Sequence, residues 1–204
     1  MSRAARVALG ACVVALAAVA VAIVLVTRDG GGDAPVPGID GPPRHVAVDP
    51  GVALPHVVEV SRSDVGCPGH AFRAPAEPML PPSADGAVTI RLPDDAAMLT
   101  VCLGAVAELG TPEELVAELW RGSPDLPGSD LLGDAAPDPL TVARLSSAHG
   151  DAVVLTSRVG RWLVTDHYVA RDGMVHVVGY LRQEALGDAH LPQVESLLAT
   201  WEWR

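Results

Sequence analysis

Residues 162–183 read WLVTDHYVARDGMVHVVGYLRQ, and this stretch decides the fold class. Two ten-residue runs of β-branched and aromatic residues flank Asp172-Gly173. An Asp-Gly pair accepts the positive φ angles that a two-residue hairpin turn demands. The stretch therefore predicts an antiparallel hairpin in which Arg171 faces Met174. The register follows from the turn: Tyr168 opposes Val177, Asp166 opposes Gly179 and Val164 opposes Leu181. One face then carries Trp162, Val164, Tyr168, Ala170, Val175, Val177 and Leu181. The other carries Leu163, Thr165, His167, Val169, Met174, His176, Val178 and Tyr180. Neither face is wholly polar, so both are expected to be covered.

The neighbouring segments extend this sheet. Residues 152–158 form the preceding strand; a turn at Val159-Gly160 places Val153 and Leu155 on the first face. Residues 140–146 and 87–92 are further strands, and 56–63 is a weaker one. An apolar run follows at 98–109 and stops at Gly110. Thr111-Pro112-Glu113-Glu114 is a helix start: Thr111 caps, Pro112 loses no hydrogen bond, and the two acids suit the positive end of the dipole. Leu115, Val116, Leu119 and Trp120 then recur at helical spacing. Residues 123–139 hold four prolines and read as a long loop. A last helix near Pro192 carries Val194, Leu197, Leu198 and Trp201 on one stripe. This order predicts an α+β fold, one antiparallel sheet with helices packed on it as an α/β/α sandwich over residues 56–204.

The N-terminus is of a different kind. Residues 7–26 are uncharged and nearly all Val, Ala, Leu or Ile. A helix of that length matches a hydrocarbon core of ~30 Å. Arg3 and Arg6 precede it, which keeps the N-terminus cytoplasmic and exports the remainder. We read residues 1–28 as an uncleaved signal anchor in the cell membrane. A cleaved signal peptide and a lipoprotein remain as alternatives, the latter from the lipobox-like Leu9-Gly10-Ala11-Cys12. Residues 29–55 are rich in Gly and Pro and read as a linker.

Composition narrows function further. The 204 residues carry 14 arginines, no lysine and 25 acids. Three arginines lie at or before Arg28 and every acid lies beyond it, so the exported part has a formal charge of −14. Such acidity argues against nucleic-acid partners. The lack of lysine excludes amine nucleophiles and phosphate-loop lysines. No nucleophile elbow, His-Glu-x-x-His zinc motif or dinucleotide fingerprint is present, and no cofactor is implied.

The strand Val88-Thr89-Ile90-Arg91-Leu92-Pro93, the helix start at Thr111, Gly160-Arg161-Trp162-Leu163-Val164-Thr165, the strand Val175-His176-Val177-Val178-Gly179-Tyr180 and the terminal helix closing at Trp201 together resemble PsbP-like sandwiches. Within these, the pattern is similar to the LpqN-type exported proteins of actinobacteria, over residues 86–203. The resemblance implies an extracytoplasmic accessory or binding domain with no shared catalytic centre. The arginine-only basic set is compatible with a GC-rich actinobacterial genome.

Cys67 and Cys102 are the cysteines outside the membrane segment, and an exported domain would join them. Free thiols are the alternative, and Cys67-Pro68-Gly69-His70 is too sparse for zinc. His167 and His176 are diagonal neighbours on the second face. With Tyr180 they make a candidate ligand-lining set, against the plainer reading of a half-exposed strand face. Asp166, a further ligand-binding candidate, falls on the more apolar face opposite Gly179, where a carboxylate needs partners or a raised pKa; a local bulge or an edge position is the plainer reading. No catalytic or metal residues are assigned. The expected function is a membrane-tethered, non-enzymatic domain for an envelope protein or ligand. A small-ligand carrier with a cleft between sheet and helix is the alternative, and a cryptic hydrolase the third reading.

Overall fold

The computed structural model describes residues 35–64, 66–83, 86–121 and 137–204. The expected membrane segment 7–26, the Gly-rich start of the linker and most of the 123–139 loop lie outside the described residues. Among the described residues no helix is long and apolar enough to cross a membrane.

The expected hairpin forms the centre of the molecule. β8 (Trp162–Arg171) and β9 (Met174–Gln183) pair with Arg171 opposite Met174 and Asp166 opposite Gly179. Asp172 and Gly173 turn with φ of 51° and 78°, as a type I′ turn requires. β7 (Gly150–Val159) pairs with β8, but the turn falls on Gly160 and Arg161, one residue later than expected. Each partner moves by two, so Val153 meets Tyr168 and Leu155 meets Asp166 with the faces unchanged.

Among the described residues seven strands make the large sheet, in the order β1-β6-β7-β8-β9-β5-β4. β6 spans Asp138–Ser147, β5 Ala97–Ala105 and β4 Val88–Arg91. β1, only Arg44–His45, pairs parallel to β6. The sheet is therefore mixed, which corrects the expectation of a purely antiparallel one. The apolar run 98–109 is not one element. β9 begins at Met174, opposite Ala105, so the residues after Ala105 have no ladder partner. They close a short helix instead, α1 (Val106–Leu109).

Both faces are covered, by different means. On the first face α2 (Pro112–Arg121) buries Leu115 and Val116 against Val153, Leu155, Tyr168, Val175 and Val177. Its start is a capping box: Glu114 N donates to Thr111 Oγ1 at 3.3 Å, and Thr111 N to Glu114 Oε2 at 2.8 Å. On the second face lie α3 (Leu191–Ala199) and a three-stranded sheet. That sheet joins β2 (His56–Val60), β3 (His70–Ala74) and β10 (Glu202–Trp203) in the order β10-β3-β2. Val194, Leu197, Leu198, Trp201 and Phe72 meet Val154, Val169, Val178 and Tyr180 there. The outer layer on this side is thus helix plus sheet, not helices alone.

The described part of the linker, 35–55, is docked rather than extended. Val36, Val46 and Leu54 are buried. Val46 N donates to Ser146 O at 2.8 Å. A Cβ at Gly38 would lie 2.2 Å from the Val142 carbonyl oxygen, so only glycine permits this close approach. Cys67 and Cys102 form a disulfide with Cα atoms 6.1 Å apart, tying the proline-rich segment to β5.

Candidate functional site

Period-two alternation puts Thr156, Thr165, His167, Tyr180 and Arg182 on the second face. α3 and the small sheet cover the upper part of that face. Beyond them the sheet floors an open groove of about 480 Å³. Its walls are the segment around Gly38, Gly41, Pro42 and Arg44 on one side, and Asp188, Leu191 and Glu195 on the other. The floor grades from apolar to polar along the strands. Of its lining residues Ala143, Val154 and His167 share one row, and Thr156 and Thr165 the next. Arg182 follows Tyr180 on β9.

The polar end is preorganised. Thr156 Oγ1 and Thr165 Oγ1 are 3.0 Å apart and share a hydrogen bond. Arg182 is 5% exposed and donates from Nη1 to Thr165 Oγ1 at 2.8 Å. Its guanidinium carbon stands 4.8 Å from the Tyr180 ring centroid, a cation–π contact. Nη2 pairs with Asp188 Oδ1 at 2.5 Å, while Nε has no partner among the described residues. Across the groove Arg44 pairs with Glu195, joining one wall to the other.

His167 is buried, and Nδ1 lies 3.0 Å from the Val178 carbonyl oxygen. A carbonyl only accepts, so Nδ1 carries the proton and donates. Burial holds the imidazole pKa below its usual value; the Val178 carbonyl and Glu195 oppose that shift, and Arg44 reinforces it. His167 is neutral at pH 7.

The other expected site residues are dispersed. His176 sits higher on the same face, in a closed cluster with His70, His149, Trp201 and Trp203. His70 stacks on Trp201 with centroids 4.5 Å apart, and His149 Nε2 lies 3.3 Å from His176 Nδ1. Burial pushes the His70 pKa down to about 4. His149 and His176 are held well below the usual range, by burial first and neighbouring imidazoles second. His70 Nε2, His149 Nδ1, His176 Nε2 and Trp201 Nε1 find no partner among the described residues. Among those residues, no three His, Cys, Asp or Glu side chains converge in a metal-binding arrangement. Tyr180 is buried beneath Arg182 and supports the groove rather than lining it. Asp166 faces the opposite side of the sheet, with Tyr168 OH donating to its Oδ2 at 3.5 Å. Burial raises its pKa to about 7, opposed by that hydrogen bond.

The groove therefore keeps His167 and, indirectly, Tyr180 from the expected set. Arg182, Thr156 and Thr165 carry its polarity. The pairing of Arg182 with Leu163 puts it on the face of Tyr180; nothing in the sequence marked it as buried.

No family model and no curated protein matches the chain. Among solved structures it is similar to cyanobacterial PsbP (CyanoP) from Synechocystis sp. PCC 6803. The identity is 10%, covering 76% of this chain and 96% of that one, with a TM-score of 0.45. It also resembles LpqN, involved in cell envelope biogenesis of Mycobacterium tuberculosis. There the identity is 12%, covering 79% of this chain and 89% of that one, with a TM-score of 0.29.

Proposed function

We propose that this chain is a non-enzymatic accessory domain, tethered outside the cytoplasm by residues 7–26, that binds a small envelope ligand between the large sheet and α3. The groove carries this reading. At about 480 Å³ it falls in the size range of small-molecule sites. Its lining pairs an apolar end at Val154, Leu145 and Leu191 with a few fixed donors at the other. The groove favours a small ligand over a protein surface. Thr165 is engaged by Thr156 and Arg182, and no imidazole is hydrogen-bonded to either hydroxyl among the described residues. Nucleophilic catalysis needs a base at the hydroxyl, whereas binding needs donors held still. The uncharged length of residues 7–26 supports the tether, and the Cys67–Cys102 bond supports an oxidising compartment.

Two measurements test this. Protease added to intact cells should digest the domain while a cytoplasmic marker survives. Native mass spectrometry of the full-length protein taken from its own membranes should detect a bound small molecule. Ala143→Trp, which puts an indole on the groove floor, should no longer retain it. Protection of the domain in intact cells would overturn the location, and retention of the same mass by the Ala143→Trp variant would overturn the site.

A further inference from the structure

We propose that the groove recognises a carboxylate on an apolar-bodied ligand, and that Asp188 stands at the position this carboxylate would take. This rests on the groove being the binding site and names the chemistry it selects.

The argument starts from Arg182. A guanidinium presents Nε–H and Nη2–H side by side, a fork that matches the two oxygens of one carboxylate. In Arg182 one prong is filled, by Asp188 Oδ1 on Nη2, and the other, Nε–H, has no partner among the described residues. Burial makes an unused donor costly. The rest of the guanidinium is fixed: Thr165 holds Nη1 and Tyr180 lies against its plane. Asp188 is the opposite. It lies outside α3 in the short connection after Leu186, and its side chain is 61% exposed against 6% for Arg182. The pair thus joins a rigid buried cation to an exposed, replaceable anion.

A ligand carboxylate that fills both prongs would satisfy the empty donor and release Asp188 to water. Charge complementarity fits. Arg44, Arg144 and Arg182 line the groove with Asp188 and Glu195. Arg144 is paired with Glu113, so Arg44 and Arg182 face the two acids and displacing one acid leaves a net positive pocket. The apolar side chains of Ala143, Val154 and Leu145, with Leu191 opposite, would take the ligand's body.

The test uses the full-length protein in lipid nanodiscs, with binding followed by NMR at the Thr156 and Thr165 methyls and the Arg182 Nε–H. The probes are octanoate and octanol, which share an apolar body and differ in charge. Octanoate should bind about tenfold more tightly, the effect of one charged hydrogen bond of about 1.4 kcal/mol. It should also shift the Arg182 Nε–H resonance. Asp188→Asn, at an exposed position, should strengthen octanoate several-fold and leave octanol unchanged. Arg182→Gln should remove the octanoate preference; because Arg182 is buried, the Asp188→Asn variant decides the matter if this one fails to fold. Equal binding of both probes, with no gain in the Asp188→Asn variant, would overturn the carboxylate assignment while leaving the groove. Loss of neither probe in Ala143→Trp would overturn the groove itself.

Discussion

Gly179 leaves the space that the Asp166 carboxylate fills. A Cβ built at Gly179 would stand 2.7 Å from Asp166 Oδ1, across the central strand pair. The acid is held over bare backbone, beside the Tyr168 hydroxyl and against a mainly apolar face. Burial there favours the uncharged acid, which places its pKa near 7.

That shift fixes a direction in stability. Between the ordinary value of 3.8 and about 7 the folded protein holds a proton that the unfolded chain has released. The contribution of Asp166 is thus full at low pH and is lost as pH rises to about 7. Urea unfolding of wild type and Asp166→Asn from pH 4 to 8 should show wild type losing ground to the variant across that interval. A difference that stays flat with pH would contradict the assignment.

The His70, His149 and His176 cluster acts in the opposite sense. Their pKa values are depressed, so the unfolded chain takes up protons first as pH falls below 6.5. Stability present above pH 6.5 is lost as pH falls towards about 4. For His70 alone the loss approaches roughly 3 kcal/mol. His70→Phe keeps a ring stacked on Trp201 beside Phe72 and should flatten the acid limb of the stability curve. An unchanged limb would show that His70 does not carry it.

Reduction of the disulfide should be costly as well as local. The bond closes a loop with a sequence separation of 35, worth about 3–4 kcal/mol in the chain-entropy description. Cys67→Ser with Cys102→Ser should lower the unfolding free energy by that order. Amide exchange should quicken in β2 and β3 more than in β8 and β9, because the bond ties the segment preceding β3 to β5.

At the start of α2, Thr111→Ala should cost about 1 kcal/mol, since it removes the acceptor for Glu114 N. Glu114→Ala should act in the same direction by freeing the Thr111 amide. Because the two bonds are reciprocal, chemical denaturation of the double variant should show less than the sum of the single losses.

Much of this is legible from local rules. Asp172-Gly173 fixes the β8–β9 register to the residue, and Thr111-Pro112-Glu113-Glu114 marks its helix start. Strand β3 escapes such rules because its five residues sit among prolines and one of its two partners, β10, lies at the far end of the chain, where no window of sequence reaches. The docking of residues 35–55 escapes them for a related reason. Gly and Pro composition reads as a tether, yet single buried side chains at Val36 and Val46 with one close approach at Gly38 suffice to seat it.

The sequence by itself determined which residues share a face, because alternation in a strand has a period of two and a two-residue turn leaves no freedom in register. It therefore placed His167, His176 and Tyr180 together on one side of the sheet. Only the tertiary structure decided their separate fates. Trp201 and Trp203 close over His176, and the upper face becomes core, while His167 and Arg182 are left at an open groove. Period reports direction, not cover. What lies above a sheet depends on segments far along the chain, here the C-terminal helix and the docked residues 35–55.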